Sequence, residues 1–431
     1  MQNASLWRAV LRVENAVVED IEFDDQTQIL VVHVRPRRPR QGRCGTCGSK
    51  ASWYDRGQGR QQWRGLDMGT VQVVLEADAP RVNCPTHGPT VRQVSWARHG
   101  AGHTRSFDQQ VAWLATQCSK KAITELMRIA WRTVGSIITR VWADTAAGVD
   151  ALAGLTRIGI DEISYKRRHK YLTVVVDHDS GRLVWAHPGH ERATVRAFFD
   201  ALEASGTGRC AQITHVSADG AEWIADVVSN RCPDAIRCAD PFHVVGWATE
   251  ALDAVRRDAW NNARRAGHTR SHGWAHGRRH TVATGPALAL RRARYALWKN
   301  PENLTDRQQV KLQWIAKTDP RLYRAYLLKE GLRTVFKLPV DQAGEALDRW
   351  IAWARRCRIE SFVKLQRRIA GHRTQILAAI EHGLSNGLIE SVNTKIRLIT
   401  RIAFGFSNPS PLIALAMLTL GGHRPTLPGR Q

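Results

Sequence analysis

Residues 155–189 read LTRIGIDEISYKRRHKYLTVVVDHDSGRLVWAHPG, and the fold turns on this stretch. "LTRIGID" has the alternation and β-branched content of a strand, and "KYLTVVVDHDSGRLVWAHPG" reads as two more, joined by a turn through Asp179, Ser180 and Gly181. Downstream, "ERATVRAFFDALEAS" is amphipathic at helical spacing, "AQITHVSAD" returns to strand, "GAEWIADVVSN" to helix and "DAIRCAD" to a short strand. "FHVVGWATEALDAVRRDAW" then reads as a long helix. Three strands in a meander followed by alternating helix and strand predict an α/β sheet of mixed direction. Asp161 is expected to end the first strand and Asp219 to follow the fourth, and groups at strand ends converge on the crevice of an open sheet.

Working outward towards the N-terminus, "AVVEDIEFDD" and "QILVVHVRP" alternate as a strand pair. The basic loop "RPRRPRQGRCGTCGSKASWYDRG" leads into Cys44 and Cys47, and "TVQVVLEADAPRVNCPTHG" ends on Cys84 and His87. Two two-ligand turns at the ends of hairpin-like strands supply the four soft or borderline donors of a zinc ribbon. Four protein ligands leave no open position for water, so this zinc is structural. The remaining five of the eight cysteines, Cys118, Cys210, Cys232, Cys238 and Cys357, read as packing residues. From Thr104 the text turns helical, with apolar stripes at Phe107, Val111 and Leu114, at Ile123, Leu126 and Ile129, and at Val134, Ile137, Ile138 and Val141. Three short helices with brief breaks match a helix-turn-helix, whose last helix would offer Arg132, Thr133, Ser136 and Arg140 to bases or phosphates.

The charge balance points to a polyanionic partner. Over 431 residues, 63 lysines and arginines stand against 39 acids, a formal charge of +24. No run approaches the apolar length of a membrane span, and the N-terminus lacks the pattern of a signal peptide, so the expected location is cytoplasmic, at the nucleoid when bound to DNA. Residues 256–300 carry eleven basic residues against one aspartate, with Trp298 among the interspersed rings, as a nucleic-acid groove or a solvated basic helix would. His268, His272, His276 and His280 recur every fourth residue, but Gly273 and Gly277 weaken the helix that would align them on a metal. Residues 303–383 read as helical throughout, leading into "LSNGLIESVNTKIRLITRIAFGF" at 384–406. There Glu390 is the lone acid, sharing a helical face with Arg397 and Arg401. An intrahelical pair explains such a carboxylate as readily as chemistry does, until the other acids are considered. Carboxylates clustered in a basic protein repel one another unless a divalent cation joins them.

The stretches "GIDEISYKRRHKYLTVVVDHDSGRLV", "VSADGAEWI", "DPFHVVGWATEALDAVRR" and "SNGLIESVNTKIRLITRIAFGF", preceded by "CGTCGS" and "CPTHG", resemble the transposases of the ISL-three family of bacterial insertion sequences. The resemblance runs from about Cys44 to Phe406 in the family's order. It implies a multidomain α/β protein: a zinc-ribbon-like segment, a helix-turn-helix, and a ribonuclease-H-like DDE domain interrupted by a mostly helical insertion. Carried over by position, the catalytic acids are Asp161, Asp219 and Glu390, which would hold Mg2+ or Mn2+, while Asp240 and His243 fill the supporting "DxFH".

The expected divisions are a zinc-binding domain at 1–100, a helix-turn-helix at 101–150, a catalytic domain at 151–255 and 380–410, a basic insertion at 256–379 and a tail at 411–431. The expected activity is binding of double-stranded DNA at terminal inverted repeats, metal-dependent cleavage there, and transfer of the freed 3′ hydroxyl to target DNA by at least a dimer. A DNA-binding regulator with an inactive catalytic domain and a metal-dependent nuclease without strand transfer are the competing readings.

Overall fold

The computed structural model describes residues 15–37, 42–166, 170–266, 285–384 and 387–430, with Trp7, Val10, Leu11 and Val13 and the backbone of Ser271–Ala275 and Arg278–Val282. The chain divides into two compact units, Met1–Val149 with Leu398–Gln431, and Asp150–Arg397.

The first unit opens with seven strands: β1 (Ala16–Asp24), β2 (Ile29–Pro36), β3 (Ser52–Asp55), β4 (Arg60–Arg64), β5 (Gln72–Asp78), β6 (Arg81–Cys84) and β7 (Gly88–Val91). They form a four-stranded sheet in the order β1-β2-β5-β4 and a small sheet β3-β6-β7. Alternate residues of β2 and β5, among them Val32, Val34, Val73 and Leu75, close over Trp63 and Trp96, as the period of two requires of a half-buried sheet. Three helices follow: α1 (Arg105–Ala115), α2 (Lys120–Met127) and α3 (Trp131–Gly148). Thr104 and Ser119 cap the first two by accepting from the amides of Phe107 and Ala122, which stops each break from leaving orphan donors. The expected stripe of Val134, Ile137, Ile138 and Val141 is buried.

In the second unit β8 (Arg157–Lys166), β9 (Lys170–Asp177) and β10 (Leu183–Pro188) form the expected meander. Then come α4 (Arg192–Ser205), β11 (His215–Ala218), α5 (Glu222–Arg231), β12 (Ile236–Ala239) and α6 (Pro241–Ala266). The sheet order is β10-β9-β8-β11-β12. β8 runs antiparallel to β9 and parallel to β11, which runs parallel to β12, so the mixed α/β sheet is present. The meander turn is fixed by Asp177, which accepts from the amides of Asp179 and Ser180, and by Asp179, which accepts from Arg157 and Thr156. Both acids are therefore turn residues.

The insertion contains the backbone hairpin β13 (Ser271–Ala275) and β14 (Arg278–Val282), then α7 (Gly285–Arg292), α8 (Arg294–Trp298), α9 (Asp306–Thr318), α10 (Pro320–Val335), α11 (Val340–Arg356), α12 (Glu360–Gly371) and α13 (Arg373–Glu381). Its helices share one apolar core with α6 through Leu252, Val255, Leu328, Trp350 and Phe362. The side chains of the four-residue histidine ladder lie outside the described residues.

Ser271–Ala275 and Arg278–Val282 pair as strands, in keeping with the glycines that weaken a helix there. Two expectations are corrected. Asp161 does not end its strand, because β9 pairs with β8 as far as Lys166. Beyond α14 (Gly387–Ile402), residues 411–431 are not a tail: α15 (Pro409–Leu420) buries Leu412, Leu415, Met417 and Leu418, and Pro411 packs toward Gly135 of α3. A helix apolar on nearly every side belongs in a core.

Candidate metal centres and active site

The zinc-ribbon donors come together through two tight turns. The amide of Gly48, whose φ is +72°, donates to the Cys44 carbonyl at 2.9 Å, folding Cys47 back. The Cys84↔Gly88 pair between β6 and β7 folds back His87 in the same way. The four donor atoms all lie within 4.8 Å of one another. Cys44 Sγ to His87 Nδ1 is 3.8 Å, Cys47 Sγ to Cys84 Sγ is 3.7 Å and Cys84 Sγ to His87 Nδ1 is 3.6 Å. A tetrahedron with bonds of about 2.3 Å has edges of roughly 3.8 Å, so these separations fit one zinc-sized ion. Hydrogen bonding to Ser49 pulls the Cys47 thiol down to about 6, toward the thiolate a metal needs.

The acids are assembled by register. Ile160 on β8 faces Ala218 on β11, and Ala218 faces Ala239 on β12. Asp161, Asp219 and Asp240 are the next residues of three adjacent strand paths, so three carboxylates fall in one row. Glu390 arrives on α14, whose approach depends on Gly159: a Cβ there would lie 2.3 Å from Ile389 Cδ1 and 2.8 Å from His178 Nε2. Asn393, one turn after Glu390 and 2% exposed, donates to Asp161 Oδ2 at 2.8 Å. Asn393 lies three residues after Glu390 on the same helical face, and that spacing is the sequence signal for its place beside the acids.

Mutual repulsion marks the cluster. Burial lifts the Asp161 carboxyl above its ordinary value, with Asp240 and Asp219 pushing the same way. Burial, then repulsion from Asp240 and Asp161, lifts Glu390. Burial, Asp161 and Asp219 together raise Glu162 to about 7. Opposing them, His243 is held protonated up to about 9, chiefly by its hydrogen bond to Asp240 Oδ2 at 2.5 Å and then by the Asp219 charge. Glu162 Oε1 and Asn393 Oδ1 are buried and have no hydrogen-bond partner among the described residues. An all-oxygen donor set with repelling charges and orphaned oxygens suits a hard divalent cation.

The expected DNA contacts divide. Arg132 and Ser136 lie exposed on α3, with Thr133 half-buried beside them. Arg140 is half-buried and engaged within the protein: its guanidinium grips Asp108 through Nε at 3.0 Å and Nη2 at 2.9 Å. Asp108 is fully buried and also bound by Arg98, and a buried carboxylate claims the nearest fork donors. Arg397 and Arg401 are exposed on α14. Trp298 packs against the insertion core with Arg294 3.8 Å from its ring centroid, so one ring face is already covered.

This combination of ribbon, helix-turn-helix and acid-bearing mixed sheet defines a DDE transposase, and the chain belongs to the transposase family ISL3. A family model described as transposase matches residues 158–416, one for the helix-turn-helix domain of transposase family ISL3 matches 92–142, and one for the zinc-finger of transposase IS204/IS1001/IS1096/IS1165 matches 40–87. The transposase for insertion sequence element IS1557 of Mycobacterium tuberculosis, in strains CDC 1551 / Oshkosh and ATCC 25618 / H37Rv, is 66% identical over 440 residues, spanning 100% of this chain and 98% of that one. The transposase for insertion sequence element IS1001 of Bordetella parapertussis is 25% identical over 346 residues, 80% of each chain. A solved Drosophila P element transposase strand transfer complex aligns with a TM-score of 0.34 and 11% identity over 74% of this chain and 92% of that one. That likeness carries no weight here. No helix among the described residues is long and apolar enough to cross a membrane.

Proposed function

We propose that this transposase binds the terminal inverted repeats of its element, cuts beside them and joins the freed 3′ hydroxyl to target DNA, with Asp161, Asp219 and Glu390 as the catalytic acids. The observation that carries the assignment is the row of carboxylates in register, closed by the Asn393 bond from the helix that bears Glu390. The three acids would hold magnesium or manganese, which when bound supplies Lewis acidity and an activated water or hydroxyl for in-line displacement at phosphorus. Asn393 fixes one Asp161 oxygen and so aims the other. Asp240 keeps His243 cationic beside the acids, where it can hold a phosphate oxygen. Arg397, on the same helix as Glu390, offers a second phosphate contact. Cleavage and joining are both displacements at phosphorus, so one set of acids serves both. The ribbon ion is zinc, held structurally by Cys44, Cys47, Cys84 and His87. Joining two element ends requires at least two copies on DNA.

The test uses purified protein, magnesium or manganese, a labelled fragment from the DNA flanking the gene and a plasmid target, comparing wild type with Glu390→Gln. Metal-dependent cut and joined products are expected from wild type and none from the variant, which still binds. Binding without cutting by wild type would favour the regulator, and cutting without joining the nuclease.

A further inference from the structure

Lys120 is the first residue of α2, where a long polar side chain ordinarily reaches solvent, yet it is only 8% exposed. Its ammonium lies 4.7 Å from the Trp131 ring centroid and 5.7 Å from that of Phe406. It approaches α3 so closely that a Cβ at Gly135 would sit 3.6 Å from it. Among the described residues no carboxylate, carbonyl or hydroxyl pairs with it, and burial alone shifts its proton affinity downward. Aromatic faces attract a cation but repay only part of the hydration it has lost. The side chain is thus enclosed by rings and α3 and meets solvent only at a groove, a position in which a cation gains from an anionic partner arriving from outside.

The ammonium borders a groove of about 570 Å³ whose other polar lining includes Arg132, Ser136, Asn408 and Ser410, with no carboxylate among the lining residues. One wall is the face of α3 that carries Arg132 and Ser136. The other is the segment from Gly405 to Pro411 that leads into α15. Asn408 caps that helix by accepting from the Ser410 amide at 3.0 Å; Pro409 and Pro411 carry no N–H, so this end of the twelve-residue helix contributes its dipole rather than amide donors.

We infer that this groove seats a backbone phosphate of bound DNA, with Lys120 as its buried counter-charge, Arg132 and Ser136 on one side and the N-terminus of α15 on the other. The inference rests on the reading that α3 meets DNA, and it makes the C-terminal segment a part of the DNA-binding surface.

The test compares full-length wild type with Lys120→Met and Ser410→Glu, on a labelled duplex from the flanking ends and on an unrelated duplex, across a salt series. Lys120→Met should leave the melting temperature unchanged or raise it by roughly 1–3 °C, because a largely enclosed cation without a protein partner is removed. It should also weaken both duplexes about tenfold. A plot of log affinity against log salt should become shallower by about 1, the signature of one lost phosphate contact. A folded Lys120→Met with unchanged zinc content, affinity and salt slope would overturn the inference. Ser410→Glu puts an acid in the first turn of α15, which suits that helix, while filling the groove with negative charge. Undiminished binding by this variant overturns the inference even if Lys120→Met fails to fold. Inorganic phosphate without DNA separates the two sources of the anion: if it stabilises wild type but not Lys120→Met, and both bind duplex equally, the groove is a free-phosphate site and the DNA assignment falls. These readouts concern binding, so they stand or fall separately from the Glu390→Gln cleavage test.

Discussion

The zinc ribbon and the acid cluster gather ligands in opposite ways. Cys44, Cys47, Cys84 and His87 come from two short turns in one unit and stand at separations one ion explains. The acids come from three strand paths and a helix at least 150 positions downstream of each, and they repel one another. The first site closes by local turn geometry. The second is held open to charge by the packing of the whole catalytic unit, which is what a site that must admit metal and phosphate requires.

The comparison breaks most visibly at the ribbon. Cys84→Ser should release zinc and unfold the ribbon, since metal binding in such small domains is worth roughly 10–16 kcal/mol. Elemental analysis and DNA binding would check this, and retained zinc would sink it; Cys47→Ser should behave alike. Asp219→Asn should instead leave fold and DNA binding intact while lowering cleavage on the order of 10³-fold or more, read by product formation in manganese. Gly159→Ala sharpens the contrast, because its methyl collides with Ile389 and His178. A loss of about 1–3 kcal/mol of stability is expected, together with a drop in cleavage as α14 is displaced, measured by denaturant unfolding beside the cleavage assay. Asn393→Ala should cost about tenfold in cleavage with little change in melting temperature, since it frees Asp161 without disturbing the strand.

The smallest effect is with pH. His243 titrates near 9 in the folded protein against an ordinary 6.5. Its contribution is therefore complete below about 6.5 and disappears as pH rises through about 9. Unfolding midpoints of the chelator-treated protein should fall over that window, and the fall should be shallower in His243→Gln.

What could be read from the chain followed the range of the forces involved. The CxxC and CxxH pairs, the strand meander and the capped helices are local patterns, and they stand where the text puts them. Asp161, Asp219 and Glu390 were reached through motif resemblance. The bond from Asn393 to Asp161 spans 232 positions, which no periodicity reveals. The helical spacing of Arg140 is legible, but its ion pair with Asp108, thirty-two positions earlier, is not. The last helix differs: "PLIALAMLTL" is apolar nearly throughout, and that composition marks a buried helix rather than a tail.

The order of synthesis acquires a meaning from α14 and α15. Both units are completed by residues made last: one needs Glu390 and Asn393, the other needs the helix from Pro409 to Leu420 against α3. A chain still on the ribosome, or one cut short by a nonsense mutation before residue 387, has no third acid and an uncovered apolar face on its DNA-reading domain. On the proposed assignment of Glu390, such fragments are expected to be degraded rather than to cut DNA.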